Sequence, residues 1–175
     1  MNYPLSKSTS SETTTSTETT ADNSNTNTDT SDETESDPIL KAEKEATPHG
    51  RKILKTGREM TLNDREIIPG GCWDYANEVY NRAGYPSNQR EVIFRGDKNN
   101  GPYADVSLIE PGDWLYYVNH SYGGIEHSAI FVYWINYEDK IGLMLSYGGE
   151  RRQEPARYLS YDLSDVYYII RPEAE

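Results

Sequence analysis

The sequence predicts an α+β domain in which one helix packs on a small antiparallel sheet. Three observations carry that expectation. Apolar residues recur at helical spacing through CWDYANEVYNRAGY. They then run as β-branched and aromatic stretches between turn residues, through WLYYV, IEHSAIFVYWINY, IGLMLSYGG and DVYYIIRP. All of these lie after residue 50, as do all three tryptophans, both phenylalanines and fourteen of the fifteen tyrosines.

Composition divides the chain before any element is placed. Residues 1–48 read as a disordered tail rich in Ser, Thr and acids, which buries too little apolar surface to offset ordering its backbone. Residues 49–175 read as the folded domain. The formal charge is -12, of which residues 1–50 contribute -7 (10 acids, 3 bases). No basic stripe exists, so nucleic acid is not an expected partner, and Arg151-Arg152 reads as solvated surface. With one cysteine, no internal disulfide forms. No apolar run has signal-peptide or membrane-span length, so the expectation is a monomer that is cytoplasmic, or exported by a route needing no cleavable signal.

Taken in order, RKILKTGREM (51–60) is too short and mixed to assign. Residues 61–71 read as an irregular lead-in ending in Pro69-Gly70-Gly71. The helix spans about 72–83, with Cys72, Ala76, Val79, Tyr80 and Ala83 on its packed face and Gly84 as C-cap. Residues 85–112 read mostly as loop, with short structure near EVIF, and Pro111-Gly112-Asp113 as a turn. Strands follow at WLYYV, at 125–137 in a central position, at 141–149 after the Glu138-Asp139-Lys140 turn, and at 165–172, in a meander. The stretch between the last two reads as an Arg/Glu-rich loop.

Gly70-Gly71-Cys72 places a thiol where loop becomes helix. Unpaired amides there favour a thiolate and can receive the negative oxygen of a tetrahedral intermediate. A nucleophile of this kind needs a base, and the chain has three histidines. His49 lies at the tail edge, His120 in the NHSYGG loop, and His127 at the start of the long strand, the most rigid position. A third polar group should orient the imidazole from the neighbouring strand. Alternation puts Met144, Ser146 and Gly148 on one face, so Ser146 is the candidate, with Glu150 or a backbone carbonyl as alternatives. Against this stand plainer readings, a cysteine buried in the core and a structural histidine. No Cys/His set has zinc spacing, so neither metal nor cofactor is expected. Trp114, Tyr116, Tyr117, Tyr133, Trp134, Tyr137 and Tyr147 alternate along the strands; half read as core, and the outward half as the lining of a groove for sugar or peptide.

GGCWDYANEVYNRAG, IEPGDWLYY, EHSAIFVYW and VYYIIRP, in this order over roughly 65–172, resemble the NlpC/P60 and CHAP superfamily of cysteine peptidases and amidases. The resemblance implies a papain-like fold, an N-terminal nucleophile helix on a small antiparallel sheet. It implies Cys72 as nucleophile and His127 as base. The third position, usually His, Asn, Gln, Asp or Glu in that superfamily, falls near Ser146. The glutamine that CHAP members carry before the nucleophile is Gly71 here, so the oxyanion would rely on backbone amides or an upstream residue. The implied activity is hydrolysis of amide bonds in peptidoglycan, as an endopeptidase or amidase, with a wall or peptide substrate and an inhibitor or immunity protein as a further partner. The alternatives are a Cys–His hydrolase of another amide, ester or isopeptide, and a non-catalytic binding domain on the same scaffold.

Overall fold

Two helices precede the helix at 72–83, the first element assigned from the sequence. The computed structural model describes residues 37–174. α1 spans Pro38–Glu45 and α2 spans Pro48–Arg58, running on into a π-helical turn at Glu59–Asn63. Each starts on a side-chain cap followed by proline. Asp37 accepts from the Ile39 amide and Thr47 from the Gly50 amide, while Pro38 and Pro48 fill first-turn positions that need no donor. This corrects the tail boundary at 48. Ala42 and Ala46 belong to the core, as do Ile53, Leu54 and Met60. The part of the expected tail over residues 1–36 lies outside the described residues.

α3 spans Cys72–Arg82, as the spacing predicted, and buries Tyr75, Ala76, Val79 and Tyr80. The strands are β1 (Arg90–Arg95), β2 (Trp114–Asn119), β3 (Ile125–Asn136), β4 (Ile141–Ser146), β5 (Arg157–Asp162) and β6 (Val166–Pro172). They form one sheet in the order β1-β6-β2-β3-β4-β5, every pair antiparallel. The fold is therefore α+β, with three helices of eight residues or more among the described residues. β2 to β4 follow the expected meander, but it continues into β5, and the 165–172 strand expected to close it, β6, returns instead to the far side of β2 and carries β1 on its outer edge. The EVIF stretch is β1, and the expected Arg/Glu-rich loop contains β5.

Apolar residues fill both faces of the sheet. Helices cover one face, where Ile53, Val79, Trp114, Ile130, Leu145 and Tyr147 pack together. On the other face Leu115, Tyr117, Phe131, Met144, Leu163 and Ile169 pack under the segment carrying Ala104, Val106 and Ile109. A fully buried side chain of this kind contributes roughly 1.5–3 kcal/mol. Polar links fix α3 on the sheet. The Tyr80 hydroxyl donates to the Gly112 carbonyl at 2.7 Å, Tyr75 and Thr61 share a buried bond of 2.8 Å, and the Tyr75 ring stacks on Tyr147 at 4.6 Å.

The Pro111-Gly112-Asp113 turn anchors the start of β2. Gly112 has φ +97°, and a Cβ there would meet the Cα of Gly50 on α2 at 2.6 Å. Asp113, 1% exposed, takes both prongs of the Arg171 guanidinium at 2.8 Å each, and accepts from the Glu110 amide at 2.8 Å. Burial raises the Asp113 pKa, and Arg171 opposes that rise.

Candidate functional site

Cys72 is delivered by a lead-in tied down at two points. The Tyr147 hydroxyl donates to the Ile68 carbonyl at 2.7 Å, and the Glu150 amide to the Gly70 carbonyl at 2.9 Å. Both anchors belong to the chain leaving β4, so the helix start is held beside the end of that strand. Gly70 has φ +101°, and a Cβ there would collide with the Asp74 carboxylate. Asp74 accepts from the Gly71 amide at 2.7 Å and closes the first turn. The amides that follow at the helix start have no intrahelical acceptor.

A cleft of about 540 Å³ opens at this point, lined by Cys72, His127, Ser146 and Tyr161 among others. Ser146 is 5% exposed, and its hydroxyl oxygen lies 2.8 Å from His127 Nε2 and 2.9 Å from the Tyr161 hydroxyl. The three residues stand on three successive strands, β3, β4 and β5, but not opposite one another, since Ser146 pairs with Arg157 and Tyr161 with Gly142; their side chains meet obliquely. The imidazole is also walled by aromatic rings, Tyr117 edge-on at 5.6 Å and Tyr161 at 5.7 Å. Burial lowers the His127 pKa from 6.5 to about 4, so the ring is neutral at pH 7. Burial likewise pushes the Tyr117 hydroxyl well above the ordinary tyrosine value.

Cys72 and His127 share this cleft, but no hydrogen bond joins them. The one hydrogen-bond partner of the thiol among the described residues is Ser128, whose hydroxyl donates to Sγ at 3.7 Å. The difference follows from strand alternation. Ser128 pairs across β2 with Tyr116, which packs against the helix-side core. His127 pairs with Tyr117, which belongs to the opposite core. His127 Nδ1 has no partner among the described residues.

The remaining candidates are elsewhere. His49 bonds the Tyr85 hydroxyl at 2.7 Å, and His120 faces Asp165 at 2.9 Å. Glu150, the alternative orienter, does not line the cleft and makes no bond to His127. Among the aromatic residues singled out in the sequence, Trp114, Tyr117 and Tyr147 are buried and Tyr137 is exposed. Trp114 and Tyr116 line a second groove, and Tyr147 the Cys72 cleft. Sequence reasoning missed Tyr161, because β5 was read as loop, and Ser128, whose nearness to Cys72 depends on which strand face meets the helix. Two cleft-lining cations, Arg152 and Arg157, have no acidic partner among the described residues. No group of three or more His, Cys, Asp or Glu side chains among the described residues gathers to hold a metal ion, and no helix there is long and apolar enough to cross a membrane.

The fold and site define an α+β domain with a thiol and an imidazole in one cleft. No protein-family model matches the chain, and no curated protein or solved structure matches it either.

Proposed function

We propose that this domain is a thiol hydrolase of papain-like, NlpC/P60 type that cleaves amide bonds in peptidoglycan, with Cys72 as nucleophile and His127 as base. The observation that carries the reading is the gathering of Cys72, His127 and Ser146 in one cleft, with His127 Nε2 bonded to Ser146 and Nδ1 unpartnered among the described residues. In the working tautomer Nε2–H donates to Ser146, and Nδ1 receives the proton. Because Ser128 and His127 stand on opposite faces of β3, the thiol must first turn from Ser128 toward the imidazole within the shared cleft; it then passes its proton to Nδ1 as sulfur attacks the substrate carbonyl carbon. Amides at the start of α3 hold the oxyanion. Collapse breaks the C–N bond, and His127 returns the proton to the departing amine. Water activated by His127 then hydrolyses the thioester and frees Cys72. Arg152 and Arg157 suit a substrate bearing carboxylates, as wall peptides do.

One observation favours a second reading, a binding domain on the same scaffold. The thiol is bonded to Ser128, not to the imidazole. Digestion of purified peptidoglycan by the intact protein and by Cys72→Ala, with products identified by mass spectrometry, separates the two. New termini from the intact protein alone establish the hydrolase and name its bond. No products from either protein across several wall types, with an unreactive Cys72, establish the binding domain.

A further inference from the structure

The Cys72 cleft is lined by two unlike groups of side chains. One is cationic, Arg152 and Arg157, without acidic partners among the described residues. The other is the loop joining β2 to β3, which contributes Asn119, Ser121 and Tyr122, followed by Ile125, the first residue of β3. Tyr122 is 66% exposed, the most of any large apolar side chain among the described residues, and Ile125 is 48% exposed. The Ser121 hydroxyl is spent on Asn119 Oδ1, to which it donates at 2.6 Å. What this loop offers the cleft is therefore mainly a phenol ring and a branched aliphatic chain.

The loop is built to hold that surface out. Gly123 and Gly124 are both left-handed, at φ +67° and +68°, and turn the chain within two residues. A Cβ at Gly123 would meet nothing within 4 Å, so the backbone angle and not space calls for glycine there. The Gly124 amide donates to the Asn119 carbonyl at 3.0 Å and closes the turn, while His120 Nε2 lies 2.9 Å from Asp165 Oδ2. Tyr122 is carried between these two ties. A tyrosine ring held in water at the lip of a cleft forgoes apolar burial that a ligand can restore. Ile125 stands two residues before His127, so the two side chains share one face of β3.

We propose that Tyr122, with Ile125 beside it, is a specificity-determining wall that takes a bulky apolar side chain on the amine side of the scissile amide. The inference rests on the reading of Cys72 as nucleophile and His127 as base, and adds to it the kind of residue the leaving group carries. On that reading His127 returns the proton to the departing amine, so the leaving group lies on the His127 side of the thiol. There Ile125 and Tyr122 are the apolar surfaces within the same cleft. A small or charged side chain at this position would leave both in water and gain nothing from the wall.

The test is the rate at which the full chain is alkylated by bromoacetyl-leucine amide, bromoacetyl-glycine amide and bromoacetyl-glutamate amide, with iodoacetamide as reference. Cys72 is the one cysteine, so the mass gained reads its reaction alone. In each bromoacetyl reagent the amino acid lies beyond the carbonyl, on the amine side. The expected result is a leucine-to-glycine rate ratio of about tenfold or more, falling to about twofold or less in Tyr122→Ser and kept in Tyr122→Phe. A ratio is unmoved by a general change in thiol reactivity, and Tyr122 is exposed enough that its truncation opens no core. Alkylation with a ratio near one, or with a ratio that Tyr122→Ser leaves unchanged, overturns the wall and leaves the nucleophile standing. So does a faster reaction with the glutamate reagent than with the leucine one, which would give that position to Arg152 and Arg157. No alkylation of Cys72 by any of the four reagents removes the nucleophile, and the wall with it.

Discussion

Two glycine turns, Pro111-Gly112-Asp113 and Gly70-Gly71-Cys72, deliver side chains to opposite ends of the same helix–sheet contact, and they end very differently. At the first, the side chain delivered is saturated. Asp113 has both oxygens on Arg171 and a backbone amide besides, and the turn is pressed against Gly50 of α2. At the second, the side chain delivered is nearly idle. Cys72 has one long contact at 3.7 Å and opens on a cleft. A left-handed glycine serves both turns, Gly112 directly before Asp113 and Gly70 two residues before Cys72, and it leads to an anchor where partners converge and to an open thiol where they do not.

Of the two turns, the larger effect should fall on the anchor. Asp113→Ala removes two bonds to the part-buried Arg171 guanidinium and one to the Glu110 amide and should cost about 1.5–3 kcal/mol of stability, measured by denaturant unfolding. Cys72→Ala in the same assay should change stability by less than about 1 kcal/mol, since the lost contact is weak and half-buried. Equal losses at the two turns would erase the contrast.

Next comes acid. The folded chain takes up the His127 proton only near pH 4, whereas an unfolded chain does so near 6.5. Between those values the unfolded state binds more protons. This contribution is therefore intact above about pH 6.5 and lost as pH falls toward 4, a change of about 3 kcal/mol. Unfolding midpoints measured from pH 7 to 4 should show that loss in the intact protein and much less of it in His127→Gln. A slope unchanged by the substitution would place the acid sensitivity elsewhere.

The smallest effect should come from Tyr161→Phe, which removes one bond to Ser146 while Ser146 keeps His127. A stability cost of about 0.5–1.5 kcal/mol is expected from denaturant unfolding. Wall digestion, if Cys72 and His127 carry it, should fall less than about tenfold, because Tyr161 acts on the imidazole only through Ser146.

Much of this architecture was legible in the sequence. The α3 helix, four of the strands and the juxtaposition of His127 with Ser146 follow from periodicity and alternation. What was missed has physical causes. On α2 the buried positions are Gly50, Ile53, Leu54 and Gly57, and Gly57 presses on Leu145, so glycines fill two of the four slots and the apolar period is weak. The signals that remained were the two cap-proline pairs, Asp37-Pro38 and Thr47-Pro48. β5 is an edge strand carrying Arg157 and Asp162 at its ends, as edges often do to avoid pairing, and it therefore reads as loop. The touch between Ser128 and Cys72 was out of reach, because alternation says which residues share a face but not which face the helix covers.

The central claim is that His127 acts on Cys72. It is tested most directly by the alkylation rate of Cys72 with iodoacetamide across pH, in the intact protein and in His127→Ala. The account predicts a rate near neutral pH at least about tenfold slower in the variant, with the acid limb of the intact protein lying near the depressed His127 value of about 4. Identical rates and pH profiles in the two proteins would contradict it, and would leave Cys72 as a thiol that rests on Ser128 and does no chemistry.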